Sequence, residues 1–366
     1  MSNMLKSTAL EPAPGTLAGQ PIGHRVLALL PVYGLVVLTI LLALLFSAIL
    51  PQTFPTWLNA RSMLSDKAVV AMLSLAATVP MMTGKIDLTV GYGVVLWHIL
   101  AISLQISGVP WPLAVLIVLV LGVVFGLLNG LLVEVAQIDS FIATLGTGTV
   151  TYAVALWWTG GRQVIGRLSP SFFRIDTASL LGIPVPAFYV AGLALLLWVI
   201  SVYTPLGRYL YAIGANPRAA ELNGIPTRRY VMLAFMTSGL ITAFAGVVLA
   251  ARLRVGQASV GLEFLLPALV GAFLGSTTIN PGRVNVWGTV VGVVILAIGI
   301  SGIEQLGGAF WVEPAFNGAT LLIAIGLAGW TGRRRVQMRI ARPAPAEPGS
   351  PEPGTTGPGS TAARAR

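Results

Sequence analysis

Long stretches of the sequence contain no charged residue. They include residues 26–50, 68–84, 88–133, 141–161 and 178–207. About 20 consecutive apolar residues suffice to cross the hydrocarbon core of a bilayer. Inside that core a backbone must satisfy its own hydrogen bonds, which favours helices. The pattern therefore predicts an all-α integral membrane protein.

The apolar stretches divide into about ten predicted crossings, with eight or nine as the alternative because glycine and proline interrupt several of them. We expect broken or short helices in both halves. The predicted domains are a segment at 1–25, a membrane domain at 26–330 with a polar loop at 204–229, and a tail at 331–366 that is basic and then disordered. The predicted crossings are 26–50, 65–83, 88–107, 111–135, 140–159, 187–203, 230–251, 264–277, 284–305 and 312–330.

The charge balance predicts how the chain is oriented. Lysine and arginine outnumber aspartate and glutamate by 22 to 12. In a soluble protein this excess would suggest nucleic acid as a partner, but in a membrane protein short cytoplasmic loops collect basic residues. We therefore expect no nucleic-acid partner, and both termini and the 204–229 loop in the cytoplasm. The basic residues expected on that side are Arg25, Arg208, Arg218, Arg228, Arg229, Arg283, Arg333, Arg334 and Arg335; those expected on the other are Arg61, Lys67, Arg162, Arg167, Arg174, Arg252 and Arg254.

The polar loop carries the start and stop signals of a short helix. Its sequence, TPLGRYLYAIGANPRAAELNGIPTRRY, includes Asn216 as an N-cap, Pro217 at the first helical position and Gly224 just past the end. About seven residues are too few for a helix to be stable alone in water. The helix must therefore dock on something, and a soluble partner that moves the membrane part is one interpretation. A loop that rests only on its own bundle is the other.

The sequence shows no energy source and no catalytic constellation. No phosphate-binding loop is present, since Val79 stands where the first glycine before Gly84-Lys85 would be. There is no cysteine, and neither His24 nor His98 has other potential metal ligands near it in the sequence. We expect no catalysis, no metal and no cofactor in this chain.

A first break between apolar runs lies at VPMMTGKIDLTVGYG, residues 79–93. Asp87 is expected to cap a helix that starts at Leu88, with its carboxylate at the positive helix end. Broken backbone and charge are tolerated in membranes where they line protein or water. The break is therefore either a capped turn at the membrane edge, or a place where Gly84, Asp87 and Gly91 border a translocation path.

Two further segments supply candidates for the same path. Residues 269–289 contain a second break, with Gly275 and a turn at Asn280. Residues 126–147 carry small residues suited to close helix packing. Within that segment, Asn129 lies in a predicted span, so its side chain must form a hydrogen bond inside the protein. Asn129 and Thr144 are both candidates for the translocation path. Glu134 nearby is expected in a solvated loop.

The longest external connection is predicted at residues 160–186. Its basic residues Arg162, Arg167 and Arg174 are either contacts for acidic groups on an extracytoplasmic partner or ordinary loop charge.

Taken in order, these motifs resemble the membrane permease subunits of sugar-type (ribose, xylose and galactose) ABC importers. The matching pieces are Gly84-Lys85-Ile86-Asp87-Leu88-Thr89-Val90-Gly91, Asn129 to Val133, Phe141 to Gly146, Thr159-Gly160-Gly161, and Gly207-Arg208 through Gly224-Ile225. Lys85 departs from the family, which has glycine there, and 275–282 is less glycine-rich than usual. Both departures bear on substrate identity more than on class.

The resemblance implies a bacterial inner-membrane importer for a monosaccharide or related small polyol. Its partners would be a second permease subunit, cytosolic ATPase subunits that bind ATP and Mg²⁺, an extracytoplasmic sugar-binding protein and membrane lipid. The short helix would couple to the ATPase, with Ala219, Ala220 and Leu222 as its packed face and Arg218 and Glu221 at the rim. The full set of coupling candidates is Asn216, Pro217, Arg218, Ala219, Ala220, Glu221, Leu222, Gly224 and Ile225.

Two other functions compete with the importer. A secondary carrier driven by an ion gradient would need an intramembrane carboxylate, for which Asp87, Glu263 and Glu304 are the candidates. A membrane-embedded enzyme is disfavoured by the missing catalytic constellation.

Overall fold

The computed structural model describes residues 22–309, 311–323 and 326; the side chains of 22–32 and 262 are not part of that description. Most of the predicted segment 1–25 and the whole predicted tail 331–366 lie outside the described residues. So do residues 324, 325 and 327–330 of the predicted crossing 312–330.

The described chain is almost entirely helical. Its helices are α1 (Ile22–Ile49), α2 (Trp57–Asp66), α3 (Ala68–Met82), α4 (Thr89–Ile106), α5 (Trp111–Glu134), α6 (Ser140–Thr159), α7 (Pro170–Thr177), α8 (Val185–Tyr203), α9 (Pro205–Ala215), α10 (Pro217–Leu222), α11 (Thr227–Leu253), α12 (Leu262–Leu274) and α13 (Val286–Gln305). A 3₁₀ turn covers Ala258–Val260, and residues 312–323 form a last helical segment.

One small element of the mostly helical described chain is a hairpin of strands. Strands β1 (Ser179–Leu180) and β2 (Ile183–Pro184) form a small antiparallel hairpin. Its two turn residues, Leu181 and Gly182, both have positive φ, the backbone that two-residue hairpin turns require. The hairpin lies in the connection predicted to be external.

The helices confirm a multi-pass membrane protein. Within the described residues six helices are long and apolar enough to cross a bilayer: α4, α5, α6, α8, α11 and α13. The pair α2 and α3, bent by 44°, makes a seventh span if counted as one. The 33–49 part of α1 and the segment Ala258–Leu274 are shorter apolar helices.

The connections gather at two ends of the bundle. At one, which we call the α10 end, the Ile86 amide donates to Ser140 Oγ at 3.1 Å. There too the Tyr211 hydroxyl donates to the Val284 carbonyl at 2.9 Å. This end comprises residues 83–88, 135–139, 204–226 and 275–285.

At the opposite end, the α7 end, residues 164 and 256 form an isolated bridge and Lys67 pairs with Glu313 at 2.8 Å. This end comprises 50–67, 107–110, 160–184, 254–261 and 306–313. Arg208, Arg218, Arg228, Arg229 and Arg283 lie at or next to the α10 end, and Arg61, Lys67, Arg162, Arg167, Arg174, Arg252 and Arg254 lie at or next to the α7 end. Which end faces the cytoplasm stays a prediction.

Helices α5 and α11 pack at unusually close range. A Cβ added to Gly126 would lie 2.3 Å from the Phe235 carbonyl oxygen, and one at Gly122 would lie 2.4 Å from the Ala243 side chain. Only glycine permits this approach, as expected for small residues at helix contacts in membranes. Gly146 of α6 differs, because nothing lies within 4 Å of its Cβ position. The prediction of close packing thus holds for Gly126 but not for Gly146.

Candidate functional site

The first break forms a buried, hydrogen-bonded turn at the α10 end. Helix α3 ends at Met82, Gly84 adopts φ +77°, and α4 begins at Thr89, one residue later than predicted. Asp87 is almost completely buried. Its carboxylate accepts the Thr89 amide at 2.9 Å, the Thr89 hydroxyl, and the Ser238 hydroxyl at 2.7 Å. The N-cap residue itself is Leu88, which forms no side-chain cap bond. Asp87, one residue earlier, binds the first amide of α4 and also ties this helix to α11.

A second set of bonds extends from this turn into α5 and α6. The Thr147 hydroxyl donates to Asn129 Oδ1 at 2.7 Å, and the Asn129 amide reaches the Thr89 hydroxyl at 3.4 Å. The Leu88 amide donates to Thr144 Oγ1 at 3.1 Å. We call Asp87, Thr89, Asn129, Thr144, Thr147 and Ser238 the polar cluster. Asn129 thus has the partner that its position in a span demanded.

The path candidates separate into two groups. Gly84, Asp87, Asn129 and Thr144 lie in or beside the polar cluster. Gly91 instead packs on α12, where an added Cβ would lie 2.4 Å from the Leu265 Cβ.

The remaining two candidates belong to the late break. A Cβ on Gly275 would lie 2.4 Å from the Thr289 hydroxyl of α13, and Asn280 is exposed on the turn. A hydrogen bond of 2.9 Å between the Thr78 and Thr289 hydroxyls links α3 to α13 between the two groups.

Helix α9 precedes the predicted short helix and was not expected from the sequence. Its apolar residues Leu206, Leu210 and Ile213 recur at helical spacing, but Gly207 and Gly214 obscure the pattern. Gly214 is needed for a close approach, because a Cβ there would lie 2.2 Å from the Met82 carbonyl oxygen.

Helix α10 has the predicted boundaries. The Asn216 side chain accepts the Ala219 amide at 3.1 Å, Pro217 is the first helical residue, and Gly224 has φ +78°. The Gly224 amide closes the helix on the Glu221 carbonyl at 2.9 Å. These contacts confirm the start and stop signals.

The assignment of Ala220 to an outward packed face is wrong. Ala220 is 4% exposed and packs with Ile213, Val231 and Phe235 of its own chain, because the helix turns this position toward α11. Ile225 packs in the same cluster. Leu222, in contrast, is 83% exposed.

Three other coupling candidates flank Leu222. Arg218 and Ala219 are exposed beside it, and Glu221 accepts the Thr227 hydroxyl at 2.9 Å. The helix therefore docks on its own bundle through one side and presents Leu222, Ala219 and Arg218 on the other.

The late break also contacts α9. Besides the hydrogen bond to Val284, the Tyr211 ring carries the Arg283 guanidinium 3.6 Å from its centroid. Asn285 holds the loop by donating to the Gly275 carbonyl at 2.7 Å and caps α13 by accepting the Gly288 amide at 2.7 Å. Because α9 touches the first break at Gly214 and the second at Tyr211, one segment joins α10 to both breaks.

At the α7 end the predicted contact residues are available. Arg162, Arg167 and Arg174 are exposed, and among the described residues none of them forms an ion pair.

Asp176 lies next to this surface with an unusual environment. Its Oδ1 is buried and has no hydrogen-bond partner within the described part of the chain. Burial raises the pKa of the Asp176 carboxyl; Arg252 and Arg254 oppose the rise, and Asp66 adds to it.

Two features of the site escaped sequence reasoning. Glu134 was expected in a solvated loop, but it is buried and pairs with Lys85 at 3.6 Å. Ser238, the distant partner of Asp87, carried no local signal beyond being a hydroxyl in an apolar span.

The carboxylates proposed for an ion relay do not come together. Glu263 and Glu304 are exposed and lie toward the α7 end, far from Asp87 in the fold. In the described residues no three histidine, cysteine or acidic side chains form a potential metal site.

The apolar spanning helices and the capped loop helix at one end are those of a multi-pass membrane protein. Residues 59–325 match the family described as branched-chain amino acid transport system / permease component, and the chain belongs to that family. Together with the relatives below, which are named for ribose and allose transport, this match confirms the resemblance seen in the motifs.

Individual relatives align with most of the chain. It is 33% identical to the ribose import permease protein RbsC of Bacillus subtilis (strain 168), over 81% of this chain and 90% of that one. It is 28% identical to the D-allose transport system permease protein AlsC of Escherichia coli (strain K12), over 81% and 90%. It is 30% identical to the autoinducer 2 import system permease protein LsrD of Escherichia coli (strain K12), over 76% and 87%. No solved structure was found to match.

Proposed function

We propose that this chain is the permease subunit of an ABC importer that carries a monosaccharide or related small polyol across the bacterial inner membrane. The observation that carries the proposal is the match to a ribose import permease along 81% of the chain. A relative named for allose transport supports the same substrate class.

The energy comes from a separate cytosolic ATPase that binds ATP and Mg²⁺. The surface offered to it is the outward side of α10, with Leu222 at its centre. Docking there would move α9, and α9 contacts both breaks. This mechanical link supports alternating access in which the ATPase pair opens one side of the path and closes the other.

The proposed topology has about ten crossings. Two groups of contacts support this topology: Lys67–Glu313 and the 164–256 bridge at the α7 end, and Lys85–Glu134 and Tyr211–Val284 at the α10 end. Successive spans therefore alternate in direction: α1, α2–α3, α4, α5, α6, α8, α11, α12, α13 and 312–323. An even number leaves both termini, including 1–25 and the tail 331–366, on the side of the α10 end, which we assign to the cytoplasm.

The α7 end then faces outward and receives the sugar-binding protein through Arg162, Arg167 and Arg174. A second permease subunit completes the path. Gly84, Asp87, Asn129 and Thr144 control its cytoplasmic part, and Gly91, Gly275 and Asn280 mark the helices that move with it. The buried carboxylate of Asp87 bonds to neutral hydroxyl and amide groups, which suits a structural hinge rather than an ion relay.

Reconstitution tests the proposal. The chain alone in liposomes is expected to concentrate no sugar, whereas the chain with its ATPase and binding protein concentrates sugar only with ATP. Uptake should persist when proton and sodium gradients are collapsed by ionophores. Concentrative uptake by the lone chain, or its loss on collapsing an ion gradient with ATP present, would refute the assignment.

A further inference from the structure

A polar cavity opens at the α10 end where the end of α8, helix α9 and residues 275–285 meet. Its volume is about 300 Å³. Arg208 and Arg283 line it together with Tyr211 and Asn280, and Trp198 and Trp287 form another part of its wall. Arg208 has no role in the path or the coupling described above, and Arg283 enters only through its stacking on Tyr211.

The cavity is positively charged without compensation. No acidic residue lines it, and in the part of the chain that the structure describes neither arginine forms a salt bridge. The guanidinium of Arg283 stacks on the face of the Tyr211 ring. Because stacking uses the flat face of the guanidinium, the N–H donors at its edge stay available to an anion. Two arginines with free donors suit a phosphate group.

Aromatic residues place the cavity at the depth of lipid headgroups. Trp198 packs against Trp287 with ring centroids 6.3 Å apart, and against Tyr203 at 5.3 Å. Tryptophan and tyrosine concentrate at the boundary between hydrocarbon and water. The charged side of the cavity therefore faces the aqueous layer, and its aromatic side faces the acyl chains.

An apolar groove continues from this cavity toward the α7 end. It has a volume of about 450 Å³ and runs between α8, α13 and the α2–α3 pair, with alanines along its walls. Trp287 lines both the cavity and the groove. The groove follows α13 from Trp287 to Ile298, about 17 Å by helical rise. This stretch along α13 is about half of the ~30 Å hydrocarbon core. The other walls of the groove continue to Ala187 at the start of α8 and to Lys67 at the α7 end, so the groove as a whole extends beyond one leaflet.

We propose that the cavity and groove together bind one anionic phospholipid, with its phosphate between Arg208 and Arg283 and an acyl chain along α13. The adjoining polar and apolar compartments match the two parts of such a molecule. The positive charge selects an anionic headgroup, the kind that enriches the cytoplasmic leaflet. The proposal concerns a lipid site and holds whether or not the chain transports sugar.

Native mass spectrometry of the full-length protein in detergent tests the site. Phosphatidylglycerol is titrated against wild type, the double variant Arg208→Gln/Arg283→Gln and the matched control Arg228→Gln/Arg229→Gln. The control removes equal charge from exposed residues at the same end. A basic residue near an anionic lipid contributes about fivefold in affinity, so the double variant should bind about 30-fold more weakly. The control and the wild type should agree. Phosphatidylcholine, whose choline offsets the charge of its phosphate, should bind the wild type more weakly than phosphatidylglycerol does and should lose less affinity in the double variant.

Other results would overturn the proposal. Equal weakening in the control would show a general charge effect. Inorganic phosphate that displaces phosphatidylglycerol at equal concentration would show a site for a soluble anion. Loss of ATPase association by the double variant with unchanged lipid affinity would show a protein contact.

Cysteine chemistry checks whether a second copy of the chain fills the groove instead. The chain contains no cysteine, so Ala191→Cys places a single thiol on the exposed groove wall. Disulfide crosslinks between copies in native membranes would overturn the lipid assignment. A fluorophore on this thiol that responds to phosphatidylglycerol in wild-type background, and not in the double arginine variant, would support it.

Discussion

Replacing Leu222 with serine gives the sharpest test of the coupling surface. The side chain is 83% exposed at the tip of α10, while the caps of that helix come from Asn216 and Gly224. The fold of the permease should therefore be unchanged. If Leu222 enters a groove of the ATPase, full burial of a leucine is worth about 1.5–3 kcal/mol. Its loss should weaken ATPase binding about 10- to 100-fold.

The assay is a titration of the ATPase that co-purifies with the chain onto permease held in lipid nanodiscs. Leu181→Ser is the matched control, because Leu181 is a 91% exposed leucine at the opposite end of the bundle. It should bind the ATPase like wild type. Thermal unfolding of both variants should also match wild type. Unchanged ATPase affinity in Leu222→Ser, or an equal loss in Leu181→Ser, would refute the assignment of α10.

Three further changes test separate parts of the structure. Gly126→Ala forces a Cβ onto the Phe235 carbonyl and should lower the free energy of unfolding by about 1–3 kcal/mol. Gly146→Ala is the control, because the space around Gly146 is open, and it should leave the free energy of unfolding unchanged. Equal melting temperatures of the two variants would contradict the α5–α11 packing. Gly224→Val places a β-branched residue at φ +78°, which introduces a strain of about 1–2 kcal/mol. ATP-driven uptake should therefore fall, while membrane insertion measured by cell fractionation should be unchanged. Normal uptake would show that α10 does not couple the ATPase to transport. Because burial raises the pKa of the Asp176 carboxyl above the ordinary 3.8, its contribution to stability is fully present below the unfolded pKa and is lost as the pH rises through the folded pKa. Asp176→Asn should therefore be more stable than wild type at neutral pH and show less decline from acid to neutral pH in melting experiments; a steeper decline would contradict the raised pKa.

Local patterns predicted the parts of the site that depend on neighbours in sequence. The caps of α10 could be read from Asn216, Pro217 and Gly224, because each interacts with backbone within a few residues. The bond of Asp87 to the start of α4 was predicted for the same reason. The bond of Asp87 to Ser238 was not, since that residue is 151 positions away and any hydroxyl in a span looks alike.

The orientation of a short helix also escaped prediction. With only six residues, α10 has too few turns to show which side is apolar. Ala220 was consequently assigned outward, yet α11 covers it. Helix α9 was missed because two glycines interrupt its apolar pattern, and one of them is there to let Met82 approach.

The sequence by itself determined that this chain enters a membrane, roughly where it crosses and where its loop helix starts and stops. Runs without charge and residues that bond to nearby backbone carry that information locally. Only the tertiary structure decided that Glu134 is buried beside Lys85, that α9 bridges both breaks, and that two arginines share a cavity without an acid. Such facts depend on which distant helices meet, and the membrane makes their lipid-facing and buried sides similarly apolar.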